Sequence, residues 1–260
     1  MFRPPSLPPS PRRVLTCVAL AAVTGLGVLA AEVLWALRGG DVAFSPVSPA
    51  PRAFVSAAGG QSITLVVMGD STAVGQGAEY ESGIAVAAAQ HLARRGPVIL
   101  RNLGVSGATW TDVRAAQLPA AVRASPDVVV LAAGANDVTH LTPLGAVQRD
   151  IEHTVAALRA ANPRVRVVLT GAPDMGAAPR FLPPLRWVVT WRTHRLNAAV
   201  EKTAAELAVT VAPIARRTGA LFRANRGLFA ADDFHPDARG YATWNPVLAE
   251  ALDRALGRLH

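Results

Sequence analysis

Short apolar runs recur along the chain at Ile63–Met68, Val98–Asn102, Asp127–Ala132, Val165–Thr170 and Val209–Ala212. They are rich in Val, Ile and Leu and are bounded by turn-forming residues, the pattern of buried strands. Between them the apolar positions fall at helical spacing, roughly over Gly83–Arg95, Thr111–Ala124, Gly145–Ala161 and Thr190–Leu207. A last helix is expected from about Ala238, with Pro246 kinking it. Strands alternating with helices predict an α/β fold of parallel βαβ units, with five parallel strands and helices on both faces. The first strand is apolar throughout, which places it at the centre of the sheet. Ligands of such open sheets lie outside the carboxyl ends of the strands.

A different pattern precedes this alternation. Arg12 and Arg13 are followed by Val14–Ala31, an uncharged, mostly apolar run of 18 residues; Glu32 interrupts it and Val33–Leu37 continues it. A run of about 18 or more such residues is a membrane-spanning candidate. Arginines before it predict a cytoplasmic tail at residues 1–13, an anchor at residues 14–37 and an extracytoplasmic body at a cell membrane. The competing reading is a signal peptide cleaved near Val28-Leu29-Ala30, giving a secreted protein. The span exceeds a typical signal core, which favours the anchor. Residues 38–60 are rich in Pro and Gly and read as a linker. The folded domain is therefore expected over residues 61–260.

Composition narrows the function classes. The chain has 260 residues, 51% hydrophobic and 17% charged, too apolar for disorder and long enough for one α/β domain with a sizeable core. Net charge is +8, almost all from arginine, since Lys202 is the single lysine. The charges form no basic stripe interleaved with aromatics, so no nucleic-acid partner is expected. The one cysteine, Cys17, lies in the N-terminal run, which excludes an internal disulfide framework. No His-Glu-x-x-His spacing points to zinc, and Gly75 and Gly77 complete no dinucleotide or phosphate-loop fingerprint, so neither metal nor cofactor is expected.

The candidate chemistry sits at the expected strand ends. The first strand stops at Gly69-Asp70-Ser71, the second is followed by Asn102 to Thr109, the third by Gly134-Ala135-Asn136-Asp137, and a later loop carries Asp232-Asp233-Phe234-His235. A serine hydroxyl is a weak nucleophile and needs an adjacent base. His235, at a polar turn, is the candidate base. Asp232 or Asp233 could orient it, and the three-residue offset favours Asp232. A tetrahedral intermediate needs donors aimed at its oxyanion. The backbone N–H groups of Ser71 and Gly107 and the side-chain amide of Asn136 are the candidates. Asp70 reads as a capping or turn residue, and Asp137 as a turn residue. Ala73 stands where a Gly-x-Ser-x-Gly nucleophile elbow would need glycine.

These four segments, in this order and at this rough spacing, resemble the blocks of the SGNH (GDSL-type) hydrolase superfamily. Ser71 matches the nucleophile block, Gly107 the oxyanion glycine, Asn136 the asparagine block, and Asp232-x-x-His235 the acid–base block. The resemblance covers Ile63 to the C-terminus. It implies a flavodoxin-like three-layer α/β/α sandwich and metal-independent hydrolysis of small-molecule, lipid or glycan esters. Thr72 stands where a leucine is frequent, a position that varies in the superfamily.

Other residues are possible substrate contacts. His140 follows the asparagine block, and Asp174 and Met175 follow the fourth strand. Arg180–Arg195 interleaves Trp187 and Trp191 with arginines. Its plain reading is a helix start with the aromatic side buried; its sharper reading is an apolar cap over an acyl groove. The leading expectation is a membrane-tethered serine esterase or lipase. The alternatives are a cell-envelope carbohydrate O-deacetylase and a catalytically silent glycan- or lipid-binding domain.

Overall fold

The computed structural model describes residues 11–38, 42, 50–57 and 59–257. Most of the expected N-terminal tail and much of the expected linker lie outside these residues. The first helix, α1 (Pro11–Leu37), contains Val14–Ala36, a stretch of mean hydropathy 2.3. It is long and apolar enough to cross a membrane, as both anchors and signal sequences are.

A short strand follows, β1 (Arg52–Phe54), inside the segment expected to be linker. It pairs antiparallel with the edge of the sheet, so the sheet has six strands and is mixed rather than five-stranded and wholly parallel. Three residues are too few for an alternation to register. Arg52 helps to hold the strand, stacking over the Phe54 ring at 5.0 Å and pairing with Glu81 at 2.5 Å.

The remaining elements alternate as the periodicity predicts. In order they are β2 (Ile63–Gly69), α2 (Ser71–Val74), α3 (Ile84–Leu92) and β3 (Val98–Asn102). Next come α4 (Trp110–Asp112), a π-helical turn at Val113–Gln117, α5 (Leu118–Ala124), β4 (Val128–Ala132) and α6 (Ala135–Thr139). The chain continues as α7 (Leu144–Ala161), β5 (Arg166–Leu169), α8 (Leu185–Glu206), β6 (Thr210–Val211), α9 (Ile214–Ala224) and α10 (Ala238–Leu256). The segment between β6 and Asp232, outside the expected helices, carries α9. Its buried Ile214, Thr218 and Phe222 form a stripe at four-residue spacing among arginines. Helix α10 continues through Pro246.

Strand order is β1-β3-β2-β4-β5-β6, with β2 central and parallel to both β3 and β4. The period-2 side-chain alternation of each strand divides the core into two layers. Leu65 and Val67 of β2 and Val128 and Val130 of β4 face Ile84, Leu92, Tyr241 and Leu252 of α3 and α10. Val66, Met68, Val129 and Leu131 face Trp110, Ile151, Leu158 and Leu196 of α4, α7 and α8. The chain leaves β2 toward β3 on one side, and the sheet extends through β4 on the other. The carboxyl end of β2 is thus the topological switch point where such sheets bind ligands.

Candidate active site

The site begins where β2 ends. Gly69 has φ +146°, and a Cβ there would lie 1.9 Å from the Ala132 carbonyl oxygen, so no other residue fits without moving β4. Asp70 then leaves the sheet, its N–H donating to Ala132 O at 3.0 Å. Its carboxylate caps α2, accepting the Thr72 N–H at 2.8 Å. That cap sets Ser71 as the first residue of α2, where backbone N–H groups have no helical partner. Among the described residues, the N–H of Ser71 meets no protein acceptor.

Asp70 is fully buried, and its second oxygen has no hydrogen-bond partner. Burial lifts its carboxyl to about 6, against the backbone N–H groups of Thr72, Ala135 and Gly134, which favour the charged form.

His235 reaches this serine from a turn that packs against Gly77, just after α2. Its Nε2 lies 3.0 Å from Ser71 Oγ, and its Nδ1 lies 2.6 Å from Asp232 Oδ2. The other Asp232 oxygen accepts the N–H groups of Phe234 and His235, each at 3.0 Å. Burial of Asp232 opposes its charge. The hydrogen bonds and charge of His235, with the Phe234 N–H, outweigh that, so the carboxyl is held below its ordinary value. Asp233 turns the other way, at φ +56°, to meet Arg226 at 3.0 Å.

The loops after β3 and β4 are stitched to the same point. The Val105 N–H donates to Gly69 O at 3.0 Å, and Asn136 Nδ2 donates to Ala108 O at 3.0 Å. The latter bond uses one of the two amide protons of Asn136 and leaves the other available. The Gly107 N–H meets no protein acceptor among the described residues, and nothing lies within 4 Å of where its Cβ would sit. Asp137, directly after Asn136, accepts the Trp110 N–H at 3.1 Å and so ties α6 to α4. Burial raises its carboxyl, with bonds from Thr142 and Trp110 opposing.

Three residues outside the sequence expectation hold this arrangement. Gln117, buried in the π-helical turn, accepts the Gly69 N–H and donates to the Gly69 carbonyl, both at 2.8 Å. Gln76 accepts the Ser106 hydroxyl at 2.7 Å through its side chain and the Tyr241 hydroxyl at 2.8 Å through its backbone. Gly77 lets the histidine turn approach, since a Cβ there would lie 2.8 Å from His235 Cβ and 2.4 Å from Pro236 O. The one signal for Gln117 in the sequence is a polar residue on an apolar helical face.

The structure gives the other candidate residues different partners. His140 is exposed, and its Nδ1 lies 2.8 Å from Asn136 O at the end of α6. Asp174 pairs with Arg223, and Met175 is 4% exposed within the core. Trp187 and Trp191 are 66% and 59% exposed, which corrects the expectation of a buried aromatic side. The buried stripe of α8 runs through Val189, Thr193, Leu196 and Val200 instead. Among the described residues, no group of three or more His, Cys, Asp or Glu is placed to hold a metal ion.

Residues 67–243 match the model of the GDSL-like Lipase/Acylhydrolase family. The chain is 33% identical over 203 residues to the GDSL-like esterase Rv1075c of Mycobacterium tuberculosis (strain ATCC 25618 / H37Rv), covering 75% of this chain and 63% of that protein. Among solved structures it resembles TesA, with a TM-score of 0.61 at 22% identity over 74% of this chain and 99% of that one. It also resembles phospholipase A1 from Streptomyces albidoflavus NA297, with a TM-score of 0.56 at 20% identity over 73% of this chain and 99% of that one. The structural likenesses speak for the fold, and the family match spans the strand ends described above. The chain belongs to the GDSL-like lipase/acylhydrolase family.

Proposed function

We propose that this chain is a serine ester hydrolase in which Ser71 is the nucleophile, His235 the general base and acid, and Asp232 the group that orients the imidazole. The observation that carries this reading is the unbroken line Ser71 Oγ–His235 Nε2 and His235 Nδ1–Asp232 Oδ2, at 3.0 and 2.6 Å. Asp232, held in its charged form, fixes the proton on Nδ1 and leaves Nε2 free to accept. As Ser71 Oγ attacks an ester carbonyl carbon, its proton passes to Nε2. The carbonyl oxygen becomes an oxyanion, for which the N–H groups of Ser71 and Gly107 and the second Asn136 amide proton are the donors. Collapse expels the alcohol, protonated by the imidazolium, and leaves an acyl group on Ser71. Water, deprotonated by Nε2, attacks the acyl carbon and releases the acid.

A silent binding domain would not need this alignment together with two backbone donors beside it that, among the described residues, meet no acceptor. The membrane-length stretch Val14–Ala36 of α1, preceded by Arg12 and Arg13, supports an anchored enzyme with its domain outside the cytoplasm. The test is labelling with a serine-reactive phosphonate. Wild type is expected to label and Ser71→Ala is not; label retained by the variant would place the nucleophile elsewhere. A panel of acetyl, butyryl and palmitoyl esters then separates deacetylase from lipase character.

A further inference from the structure

Glu32 is the one acid in the apolar α1, and its carboxylate accepts the backbone N–H of Leu185 at 2.7 Å. Leu185 opens the 22-residue α8; the N–H groups of Arg186 and Trp187 bond to Leu182 O and Pro184 O, and Glu32 meets that of Leu185 at the positive helix end. Leu29, Glu32, Val33 and Ala36 recur at i, i+3, i+4 and i+7, so one stripe of α1 lies along one face. Leu29, Val33 and Ala36 of that stripe line one side of an open apolar cavity of about 410 Å³. Leu185 and Val189 of α8 and the Phe234 ring form other walls.

Phe234 connects this cavity to the chemistry. Its ring meets the His235 ring nearly at right angles, with centroids 4.8 Å apart. Helix α6, which carries Asn136, contributes Val138 to the same cavity. The volume is that of a small-molecule pocket. Outside it, Leu182, Trp187 and Trp191 are 44%, 66% and 59% exposed, at the end of α8 that Glu32 holds. Exposed apolar patches mark contact surfaces, and tryptophans gather at membrane–water interfaces.

We propose that α1 is a wall of the substrate site: with α6, α8 and Phe234 it forms a channel for the fatty acyl chain of a membrane lipid ester whose carbonyl lies at Ser71. This rests on the esterase reading and adds its substrate class. Docking through Glu32 sets the domain directly on the bilayer, with the exposed tryptophans at the interface. A chain drawn from the lipid along α1 then passes from hydrocarbon into the cavity without crossing water.

The test uses the full chain in detergent micelles with p-nitrophenyl butyrate and p-nitrophenyl palmitate. Val33→Trp and, independently, Leu29→Trp narrow the cavity from α1 without touching the domain core. Each is expected to lower kcat/KM for palmitate by tenfold or more while changing butyrate turnover less than twofold. Equal losses on both esters, or no change on either, overturn the channel. So does a wild type that hydrolyses butyrate and not palmitate. A wild type inert toward both esters removes the esterase reading itself, and the channel with it.

Discussion

The side chain of Gln117 holds Gly69 by both ends of its backbone, accepting its N–H and donating to its carbonyl, each at 2.8 Å. It does for the last residue of β2 what a neighbouring strand would do, at the point where the chain must turn toward Ser71. Replacing it with leucine leaves a buried donor without a partner. Each such group costs about 1–3 kcal/mol, so Gln117→Leu is expected to lower stability by up to about 3 kcal/mol in urea unfolding. Turnover is expected to fall with it, because Ser71 is two residues away.

Asp70 makes stability depend on pH. Its folded carboxyl is raised to about 6 from 3.8. The folded state therefore holds the proton more tightly, and stability falls as pH rises from about 4 to about 6, then levels. The shift of about two units corresponds to roughly 3 kcal/mol. Asp70→Asn keeps an oxygen to cap Thr72 and removes the charge. It is expected to be more stable than wild type above pH 6, with the gap closing near pH 4, by urea unfolding across that range. A constant difference at all pH values would contradict the buried charge.

Asp232→Asn keeps the side-chain shape but removes the charge facing Nδ1. A fall in kcat of about 10³- to 10⁴-fold is expected, with KM little changed. Asn136→Ala is expected to lower kcat by about 10²- to 10³-fold through loss of one oxyanion donor. Steady-state kinetics on a short-chain ester check both. A purely structural role would show as lost stability with kcat intact in the folded fraction.

Gly77→Ala drives a methyl group toward His235 Cβ, 2.8 Å away, and the Pro236 carbonyl, 2.4 Å away, at φ +98°. The histidine turn must move. The expected result is a fall in kcat of tenfold or more and slower phosphonate labelling of Ser71. Labelling at the wild-type rate would show that the turn can yield without displacing Nε2.

Much of the fold is legible in the sequence because its signals are local. The β-branched runs of β2 and β4 are buried on both faces, and they read as strands without further context. Ser71, Gly107, Asn136, Asp232 and His235 stand out as small and polar residues at the ends of such runs, and the structure gathers their segments at the carboxyl end of β2. What escapes has partners far along the chain. Gln117 reads as one polar residue on an apolar helix, since its meaning lies 48 positions away at Gly69. Strand β1 has three residues and exists through its pairing with β3. The tryptophans of α8 mislead because composition suggests burial, whereas the helix turns Val189 and Leu196 inward instead.

The short β1 has a consequence for how copies of this chain coexist. A sheet edge with free N–H and carbonyl groups recruits strands from other molecules. Here β1 covers the long flank of β3 with three residues that include Arg52, and the opposite border, β6, is two residues long. Neither border offers a template of useful length. Two copies of this chain that meet edge to edge thereby find little backbone to pair with.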